Sequence, residues 1–454
     1  MKVLRAQEFN RSAAQRYIAL ALATLCACST TGSETESDGA SSDTVANSQA
    51  STGSATSAGS EATSAVETAT ETGTEPAAPL WCATWGAAPT EANAATVAPF
   101  TIEDQSLRQV ARVSLGGEAV RVRLANTFGE TDLQVTAARV ALSGEGSAIA
   151  TQSDHQLTLD GAPSFVVPVG ELVVTDPVAL ELPALSDVSV SLYFADAVMT
   201  TTVHAEAKQT SWITAGDLVA AASWPARATT ATTSSFWLNG IEVLASEDAA
   251  TIVAFGDSIT DGAGSTLDAN KRWTNQLASR LQGDAATAEL AVVNAGIGGN
   301  CLLRDFIGPR ALNRFDRDVL DQPGVSWGII TVGINDIGIG SLLGQPVSAE
   351  QLIDGYRDLI ERAHARGVLA YGGTLLPFEG ADYFSEEGEQ VRQAVNAWIR
   401  SGGAYDAVID FDAVTRDPDA PTRLLPAYDA GDGLHPSDAG YAAMAEAIEL
   451  ALFQ

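Results

Sequence analysis

Apolar and polar residues alternate with a period of two over much of the segment 80–246. Residues 120–124 read Val-Arg-Val-Arg-Leu, and residues 188–194 read Val-Ser-Val-Ser-Leu-Tyr-Phe. Successive side chains of a strand point to opposite faces, so this alternation predicts strands that each bury one face. Gly and Pro residues divide the runs into short strands, and no helix longer than a turn or two is indicated. The pattern predicts a β-sandwich domain over residues 80–246.

From residue 247 onward the pattern changes to apolar runs that alternate with helical segments. Ser348 and Gln351 form a capping-box signature at the start of a predicted helix over 348–366. A last helix is predicted from Ser437 to about Leu452. The candidate strands are 251–255, 289–294, 327–332, 368–374 and 406–411. Strands that alternate with helices predict a parallel sheet covered on both sides, and hence an α/β domain over residues 247–454.

The amino terminus has the pattern of an export signal. Four basic residues precede an apolar stretch over residues 17–25, which is too short to span a bilayer as a helix. The residues that follow, Leu25-Cys26-Ala27-Cys28, resemble the bacterial lipobox, whose last cysteine is acylated after cleavage. We therefore predict a lipoprotein signal peptide over residues 1–28, lipidation of Cys28, and an exported protein of the outer membrane or cell surface. The alternative is an ordinary secretory peptide and a secreted protein.

Residues 29–79 consist mainly of Ser, Thr, Gly, Ala and Glu, with neither Lys nor Arg. Such a segment cannot bury enough apolar surface to offset the entropy lost on ordering, so we predict a disordered tether. The whole chain of 454 residues has a formal net charge of −32. Because this charge repels phosphate backbones and anionic lipid, we predict no nucleic-acid partner and membrane association only through a lipid anchor.

One serine directly follows an apolar run. Residues 251–255 are apolar and lead into Gly256-Asp257-Ser258. A strand that ends in this tight turn would present Ser258 at the carboxyl end of a parallel sheet, the edge at which such sheets bind ligands. A serine hydroxyl is a useful nucleophile only when a base and an oxyanion site are close by.

The chain has four histidines, and one of them has the spacing expected of that base. His435 has an acid, Asp432, three residues before it in a Gly-containing loop. Such a loop could hold Asp432 against Nδ1 of the imidazole and leave Nε2 free to face a serine. His155 and His204 belong to the upstream β-rich region and have no acid three residues before them, and His364 lies within a helical pattern, where a surface or packing role is expected.

Four separated blocks, in order, resemble the signature of the SGNH, or GDSL-type, hydrolases. They are Gly256-Asp257-Ser258-Ile259-Thr260, Asn294-Ala295-Gly296-Ile297-Gly298-Gly299-Asn300, Gly333-Ile334-Asn335-Asp336 and Asp432-Gly433-Leu434-His435-Pro436. The resemblance covers roughly residues 250–454. It implies a flavodoxin-like three-layer α/β/α fold with five strands. The nucleophile-elbow α/β-hydrolases are disfavoured, because in them the acid lies well upstream of the histidine, whereas Asp432 lies three residues before His435.

The resemblance also implies a role for individual residues. Ser258 would be the nucleophile, His435 the base and Asp432 the residue that orients it. The oxyanion donors would be the backbone N–H groups of Ser258 and Gly299 and the side-chain amide of Asn335. Gly299 is selected among the glycines of its block by its spacing from the asparagine that opens the block.

These features predict a serine esterase that forms an acyl-enzyme, without a metal or organic cofactor, because no His/Cys/Asp cluster has ligand spacing. A β-rich domain upstream of an SGNH domain is similar to certain carbohydrate acetylesterases, so the expected substrate is a small-molecule or polysaccharide ester with a short acyl group. The alternatives are a lysophospholipase or short-chain lipase and, in another class, a glycan-binding surface protein without activity.

Two cysteines, Cys82 and Cys301, remain in the exported, folded part. In an oxidising compartment two cysteines suggest a disulfide. A bridge would tie the start of the folded region to the rim of the active site. Two buried free thiols are the alternative.

Overall fold

The computed structural model describes residues 80–454. The predicted signal peptide over residues 1–28, the lipidation site Cys28 and the predicted tether over residues 29–79 lie outside the described residues. None of the helices within residues 80–454 has both the length and the apolar character required to span a bilayer.

The upstream part consists of short strands, as the period-two alternation predicts. The strands are β1 (Trp81–Gly86), β2 (Thr90–Glu91), β3 (Thr101–Ile102), β4 (Gln105–Arg112), β5 (Ala119–Ala125), β6 (Leu133–Val135), β7 (Ala137–Leu142), β8 (His155–Gln156), β9 (Phe165–Val167), β10 (Leu172–Val174), β11 (Asp187–Phe194), β12 (Val198–Met199), β13 (Thr202–His204), β14 (Ser211–Ala215), β15 (Thr229–Thr232), β16 (Ser235–Phe236) and β17 (Leu238–Leu244). Within residues 80–246 the helical structure is limited to one 3₁₀ turn, Thr151–Ser153.

Two antiparallel sheets contain most of these strands. One has the order β1-β17-β5-β10 and the other the order β15-β14-β4-β11-β7-β8, and smaller sheets join β16-β13-β2, β12-β3 and β6-β9. Val122 and Leu124 of the first large sheet and Val190 and Leu192 of the second are fully buried in one apolar cluster. This shared cluster accounts for the alternation in the sequence. The designation of residues 80–246 as a β-sandwich stays a prediction.

Polar side chains of the upstream part contact the downstream part of the chain. Arg123 is buried and donates a hydrogen bond to Oε1 of Gln322 at 2.9 Å. The hydroxyl of Ser114 accepts the backbone N–H of Val292 at 2.8 Å. Residues 80–454 lie in a single compact unit. The predicted domain boundary after residue 246, which falls in the connection that follows β17, stays a prediction.

The downstream part contains a parallel sheet of five strands, as predicted. They are β18 (Ala250–Gly256), β19 (Leu290–Gly296), β20 (Val325–Thr331), β21 (Leu369–Gly373) and β22 (Ala407–Ile409), in the order β19-β18-β20-β21-β22. This order places the first strand of the sheet second, which is the flavodoxin-like arrangement. Ligands bind such sheets beyond the carboxyl ends of the strands, beside the first strand, where the direction of winding reverses.

Helices connect these strands. They are α1 (Ser258–Asp261), α2 (Trp273–Gln282), α3 (Ala311–Phe315), α4 (Ile334–Leu342), α5 (Ala349–Ala365), α6 (Glu386–Ser401), α7 (Phe411–Thr415) and α8 (Asp438–Glu446), with a π-helical turn at Asp316–Leu320 and a 3₁₀ turn at Leu450–Phe453. The predicted capping box at the start of α5 is confirmed, because Ser348 accepts the N–H of Gln351 and the side chain of Gln351 accepts the N–H of Ser348.

The last helix is shorter than predicted. A single helix from Ser437 to about Leu452 was expected, but α8 ends at Glu446. The guanidinium of Arg280 donates to the carbonyl oxygens of Ala445 and, at 2.7 Å, of Ile448. Because a side chain from another helix binds these carbonyls, the chain leaves the helical path without losing hydrogen bonds.

Candidate active site

The first strand of the parallel sheet ends in a tight turn that leads into a short helix. β18 ends at Gly256, where an added Cβ would lie 2.1 Å from Oγ1 of Thr260, so the close approach requires glycine. Asp257 caps α1, since its side chain accepts the N–H of Ile259 at 3.0 Å. Ser258 is therefore the first residue of the helix at the carboxyl edge of the sheet, as predicted, and is 8% exposed.

The structure brings Ser258, His435 and Asp432 together in one chain of hydrogen bonds. Nε2 of His435 lies 2.9 Å from Oγ of Ser258, and Nδ1 of His435 lies 2.7 Å from Oδ2 of Asp432. The other carboxylate oxygen of Asp432 accepts the backbone N–H groups of Leu434 at 3.0 Å and of His435 at 2.9 Å. The carboxylate is thus fixed by its own loop and can hold the proton of the imidazole on Nδ1.

Charge interactions tune this pair in opposite directions. Burial disfavours ionisation of Asp432, but the hydrogen bond and charge of His435, helped by backbone N–H groups, lower the pKa of Asp432 to about 2. Burial lowers the pKa of His435, but Asp432 more than offsets this and raises the pKa of His435 above its ordinary value of 6.5. The imidazole can therefore act as a base only after it loses its extra proton, so activity should fall as the pH drops below that raised pKa.

The three groups that the resemblance implies as oxyanion donors each have a hydrogen available. Within residues 80–454, the backbone N–H groups of Ser258 and Gly299 have no hydrogen-bond acceptor. The side-chain amide of Asn335 donates one hydrogen to the carbonyl of Asn300 at 3.1 Å, and its oxygen accepts the hydroxyl of Tyr383 at 3.3 Å. Its second amide hydrogen remains available. Such groups stabilise a developing oxyanion when they are fixed in advance, and the assignment of these three donors, which the resemblance implies, stays a prediction.

A buried arginine that the sequence analysis missed holds the strand ends in place. Arg314 donates to the carbonyl oxygens of Gly256 at 2.7 Å and Ala295 at 2.8 Å, which end β18 and β19, and to Oδ1 of Asn300 at 3.0 Å. Its charge is balanced by Asp318 at 3.0 Å. The spacing of Arg314 and Asp318 by four residues was the available signal, but it is common on ordinary helix surfaces.

Two buried carboxyl groups, also missed, lie behind the serine. Burial raises the pKa of Asp257 to about 7, although the N–H of Ile259 and the charge of His435 oppose it. Burial likewise raises the pKa of Asp336 to about 6, against the two backbone N–H groups that it accepts, those of Leu302 and Leu303. Asp336 therefore fixes the backbone that directly follows the block of residues 294–300.

The remaining histidines lie elsewhere. His364 pairs with Asp406 through a 2.8 Å contact and is 45% exposed at its side chain, with no serine in the pair. His155 contacts the carbonyl of Ser153 at 2.9 Å. His204 lies 3.0 Å from Asp261 of α1, an acid 57 residues further along the chain. Spacing along the sequence could not identify this partner.

The two cysteines are buried free thiols, so the disulfide considered between Cys82 and Cys301 is not formed. Cys82 contacts Thr251 at the amino end of β18, and burial raises the pKa of its thiol to about 11. Cys301 follows the carboxyl end of β19. The two strands run parallel, so about 15 Å of sheet separates the two sites. A disulfide requires Cα atoms within about 7 Å.

No group of three or more His, Cys, Asp or Glu side chains is placed to hold a metal ion in the described range 80–454. A cavity of about 490 Å³ lies between β1, α2 and α8, and its lining includes Trp85, Arg112 and Arg280 but none of the Ser258, His435 and Asp432 set.

Comparison with known proteins gives one family match. Residues 254–443 match the GDSL-like Lipase/Acylhydrolase family. The sequence matches none of the curated proteins with which it was compared. Similar solved structures include a protein described as lipolytic and of the G-D-S-L family from Desulfitobacterium hafniense, with 25% identity over 43% of this chain and 96% of that one at a TM-score of 0.34. An acetyl xylan esterase from Geobacillus stearothermophilus has 24% identity over 45% and 93% of the two chains, with a TM-score of 0.35. TM-scores this low carry no structural argument.

A serine hydrolase is the class of protein that this sheet edge and its hydrogen-bonded side chains define. The family match narrows the class. Residues 254–443 are a GDSL-like lipase/acylhydrolase domain, and the protein is a carboxylic ester hydrolase. The resemblance predicted from the four blocks is confirmed, and the alternative of a glycan-binding protein without activity is set aside.

Proposed function

We propose that this protein is a serine esterase of the cell envelope that removes short acyl groups, acetyl first, from carbohydrate. Ser258 is the nucleophile, His435 the base and Asp432 the residue that orients His435. The Ser258 and Gly299 N–H groups and the Asn335 amide hold the oxyanion. The observation that carries this proposal is the hydrogen-bonded chain from Oγ of Ser258 to the carboxylate of Asp432.

The reaction then proceeds in two halves. Oγ of Ser258 attacks the ester carbonyl while Nε2 of His435 takes its proton, and the carbonyl oxygen becomes an oxyanion. As the carbonyl re-forms, the bond to the alcohol breaks and the imidazolium of His435 gives the proton to the leaving oxygen. Water, deprotonated by His435, next attacks the acyl-serine. The second tetrahedral intermediate collapses to the acid and Ser258.

The exposure of the site supports a short acyl group and a polar alcohol. The side chain of His435 is 18% exposed and that of Asp432 is 43% exposed, whereas Ser258 is 8% exposed, so the catalytic set is partly open to solvent. A long acyl chain would need apolar surroundings, since each buried CH₂ contributes about 0.8 kcal/mol. Of the apolar residues in the loop 300–315, Leu302 is fully buried in the core, while Leu303, Phe306 and Ile307 are partly exposed beside the exposed Asp305. Such a mixed rim suits a polar alcohol such as a sugar better than a long alkyl chain.

The chain length of the preferred acyl group tests this proposal. We expect kcat/KM to be highest for acetyl, about tenfold lower for butyryl and lower again for octanoyl esters of one alcohol, because the mixed rim of the 300–315 loop gives less burial to an alkyl chain than an apolar pocket would. An acetylated monosaccharide and an acetyl ester of a long alkyl alcohol, compared in parallel, separate the two alcohol classes. A maximum at octanoyl, or a preference for the alkyl alcohol, would replace this proposal with a lysophospholipase or short-chain lipase.

We also propose that the protein is an exported lipoprotein of the outer membrane or cell surface. Residues 1–28 would act as its signal peptide and residues 29–79 as a tether. The upstream part is proposed to be a β-sandwich, because both large antiparallel sheets contribute to one apolar cluster. The proposal of a lipid anchor rests on the lipobox-like residues 25–28.

Replacement of Cys28 by serine is expected to abolish labelling by radioactive fatty acid and to release the protein from the membrane fraction. Several acyl chains on one cysteine give stable anchoring, whereas a serine in that position cannot receive them. Cys26→Ser is the matched control, because it removes a thiol two residues away and should leave labelling intact. Release of wild-type protein, or loss of labelling only in the Cys26 variant, would show that Cys28 is not the anchor.

A further inference from the structure

The buried pair of His204 and Asp261 links the upstream strands to the loop that carries one oxyanion donor. Both side chains are less than a tenth exposed. Nδ1 of His204 lies 3.0 Å from the carbonyl oxygen of Ala88, and Nε2 lies 3.0 Å from Oδ1 of Asp261. The other oxygen of Asp261 accepts the N–H of Gly298 at 3.0 Å. The contact therefore runs from β13 through α1 to the residue before Gly299.

The hydrogen bonds of this pair require one more proton than a neutral histidine and an ionised aspartate carry together. A carbonyl oxygen only accepts, so Nδ1 must carry hydrogen toward Ala88. Nε2 and Oδ1 of Asp261 can share a hydrogen bond only if a proton lies between them. Burial lowers the pKa of His204, but the charge and hydrogen bond of Asp261 more than offset it and raise that pKa above 6.5. At pH values below that raised pKa the proton is held on His204, and the pair is then an imidazolium and a carboxylate.

The charges around the pair come from several elements. Arg272, which precedes α2, faces His204 and opposes its protonation. Arg314 and Tyr441 face Asp261 from α3 and α8. On the side of the upstream strands, the imidazole of His204 contacts the backbone carbonyl of Ala88, which carries no charge. Asp261 is thus the group that keeps His204 charged.

We propose that His204 is a positioning residue of the oxyanion site, which acts through Asp261 and Gly298 on the N–H of Gly299. This inference rests on the proposed function. The peptide between Gly298 and Gly299 carries that N–H, so whatever fixes Gly298 also aims the donor. On the far side of the donor, Asn300 is held by Arg314 at 3.0 Å. The loop is therefore held on both sides of Gly299, and His204 supports the Gly298 side through Asp261.

The loop that carries Gly299 packs so closely against α1 that a movement of α1 would also move the loop. A Cβ added at Gly296 would lie 2.3 Å from the backbone N of Asp261. Gly299 itself has φ of 72°, a left-handed conformation that glycine adopts without strain. A shift of Asp261 would consequently move the loop and turn the Gly299 N–H away from the oxyanion. Because that donor acts on the transition state, the loss should appear in kcat and leave KM almost unchanged.

His204→Ala is the direct test, measured on the full chain with an acetyl ester. Removal of a whole oxyanion donor costs about 10²–10³ in kcat, so loss of its support should lower kcat about 10- to 100-fold. We expect KM to change by less than about twofold, because binding of the ground state does not use this donor. Unchanged kcat with only a lower melting temperature would overturn the proposal and leave His204 a packing residue.

Asp261→Asn provides the second test and does not depend on the stability of the first variant. An asparagine can accept the Gly298 N–H with its oxygen and donate its amide to a neutral His204, so it needs no extra proton. In the wild type, the stability that the pair contributes is fully present below the unfolded pKa of about 6.5 and is lost as the pH rises through the higher folded pKa. We expect wild-type kcat to decline in that alkaline range and Asp261→Asn to lack the decline.

Asp406→Asn is the matched control for this substitution, because Asp406 pairs with the surface histidine His364 at 2.8 Å and lies outside the proposed catalytic machinery. It should retain the wild-type alkaline decline. The same decline in the Asp261 variant would overturn the proposal. Ser258→Ala distinguishes a failure of the proposed function from a failure of the positioning role of His204. If that variant stays active, the proposed function fails. If it is inactive while the His204 and Asp261 variants match the wild type, only the positioning role fails.

Discussion

Replacement of Ser258 by alanine is expected to lower kcat about 10⁶-fold and leave a folded protein. The hydroxyl is the attacking group, and the side-chain contact found for it is that with Nε2 of His435 at 2.9 Å. Asp257, not Ser258, caps the helix through its side chain, so removal of Oγ leaves the start of α1 intact. The backbone N–H at position 258 also remains, so the residual rate should come from the oxyanion donors and substrate binding.

Steady-state kinetics with an acetyl ester measure this loss. Labelling with a phosphonate that traps nucleophilic serines should modify the wild type and not the variant. Ser401→Ala, an exposed position on α6, is the matched control and should retain full activity and labelling. A decrease in kcat of less than about tenfold in Ser258→Ala would exclude Ser258 as the nucleophile.

The sequence predicted the elements whose information is local. The alternation around Val122 and Val190 identified strands, because each strand buries one face in a shared apolar cluster. The strand and helix order after residue 247 predicted the parallel sheet, because its strands are apolar runs separated by capped helices. α8 was predicted too long. Its end is fixed by hydrogen bonds from Arg280, a residue more than 160 positions earlier in the chain.

In the site, too, local features could be predicted from the sequence and contacts between distant residues could not. Ser258, Asn335 and His435 all lie within a few residues of a strand end or loop signal, so their positions could be predicted from short motifs. Their partners across the fold could not. His204 and Asp261 are separated by 57 residues, and their contact exists only because strands of the upstream part pack against α1. Spacing along the chain carries no signal for such a contact.

Asp432→Asn is expected to lower kcat about 10⁴-fold without unfolding the protein. Asp432 accepts the proton of Nδ1 of His435 at 2.7 Å and two backbone N–H groups of its own loop. The asparagine oxygen can still accept the backbone groups, which turns its NH₂ toward Nδ1. That nitrogen must then accept, so the imidazole proton moves to Nε2, where it faces Oγ of Ser258 and the base is lost.

The pH profile identifies the cause of the loss. In the wild type, Asp432 raises the pKa of His435 above 6.5, and His435 must be neutral to take the serine proton, so activity is lost as the pH falls through that raised value. Without the negative charge, the acid limb of kcat/KM should move to lower pH. Asp406→Asn, which makes the same change beside His364, should alter neither kcat nor the acid limb. A loss below about tenfold with an unmoved acid limb would assign Asp432 to the loop structure alone, and His435 would remain the base.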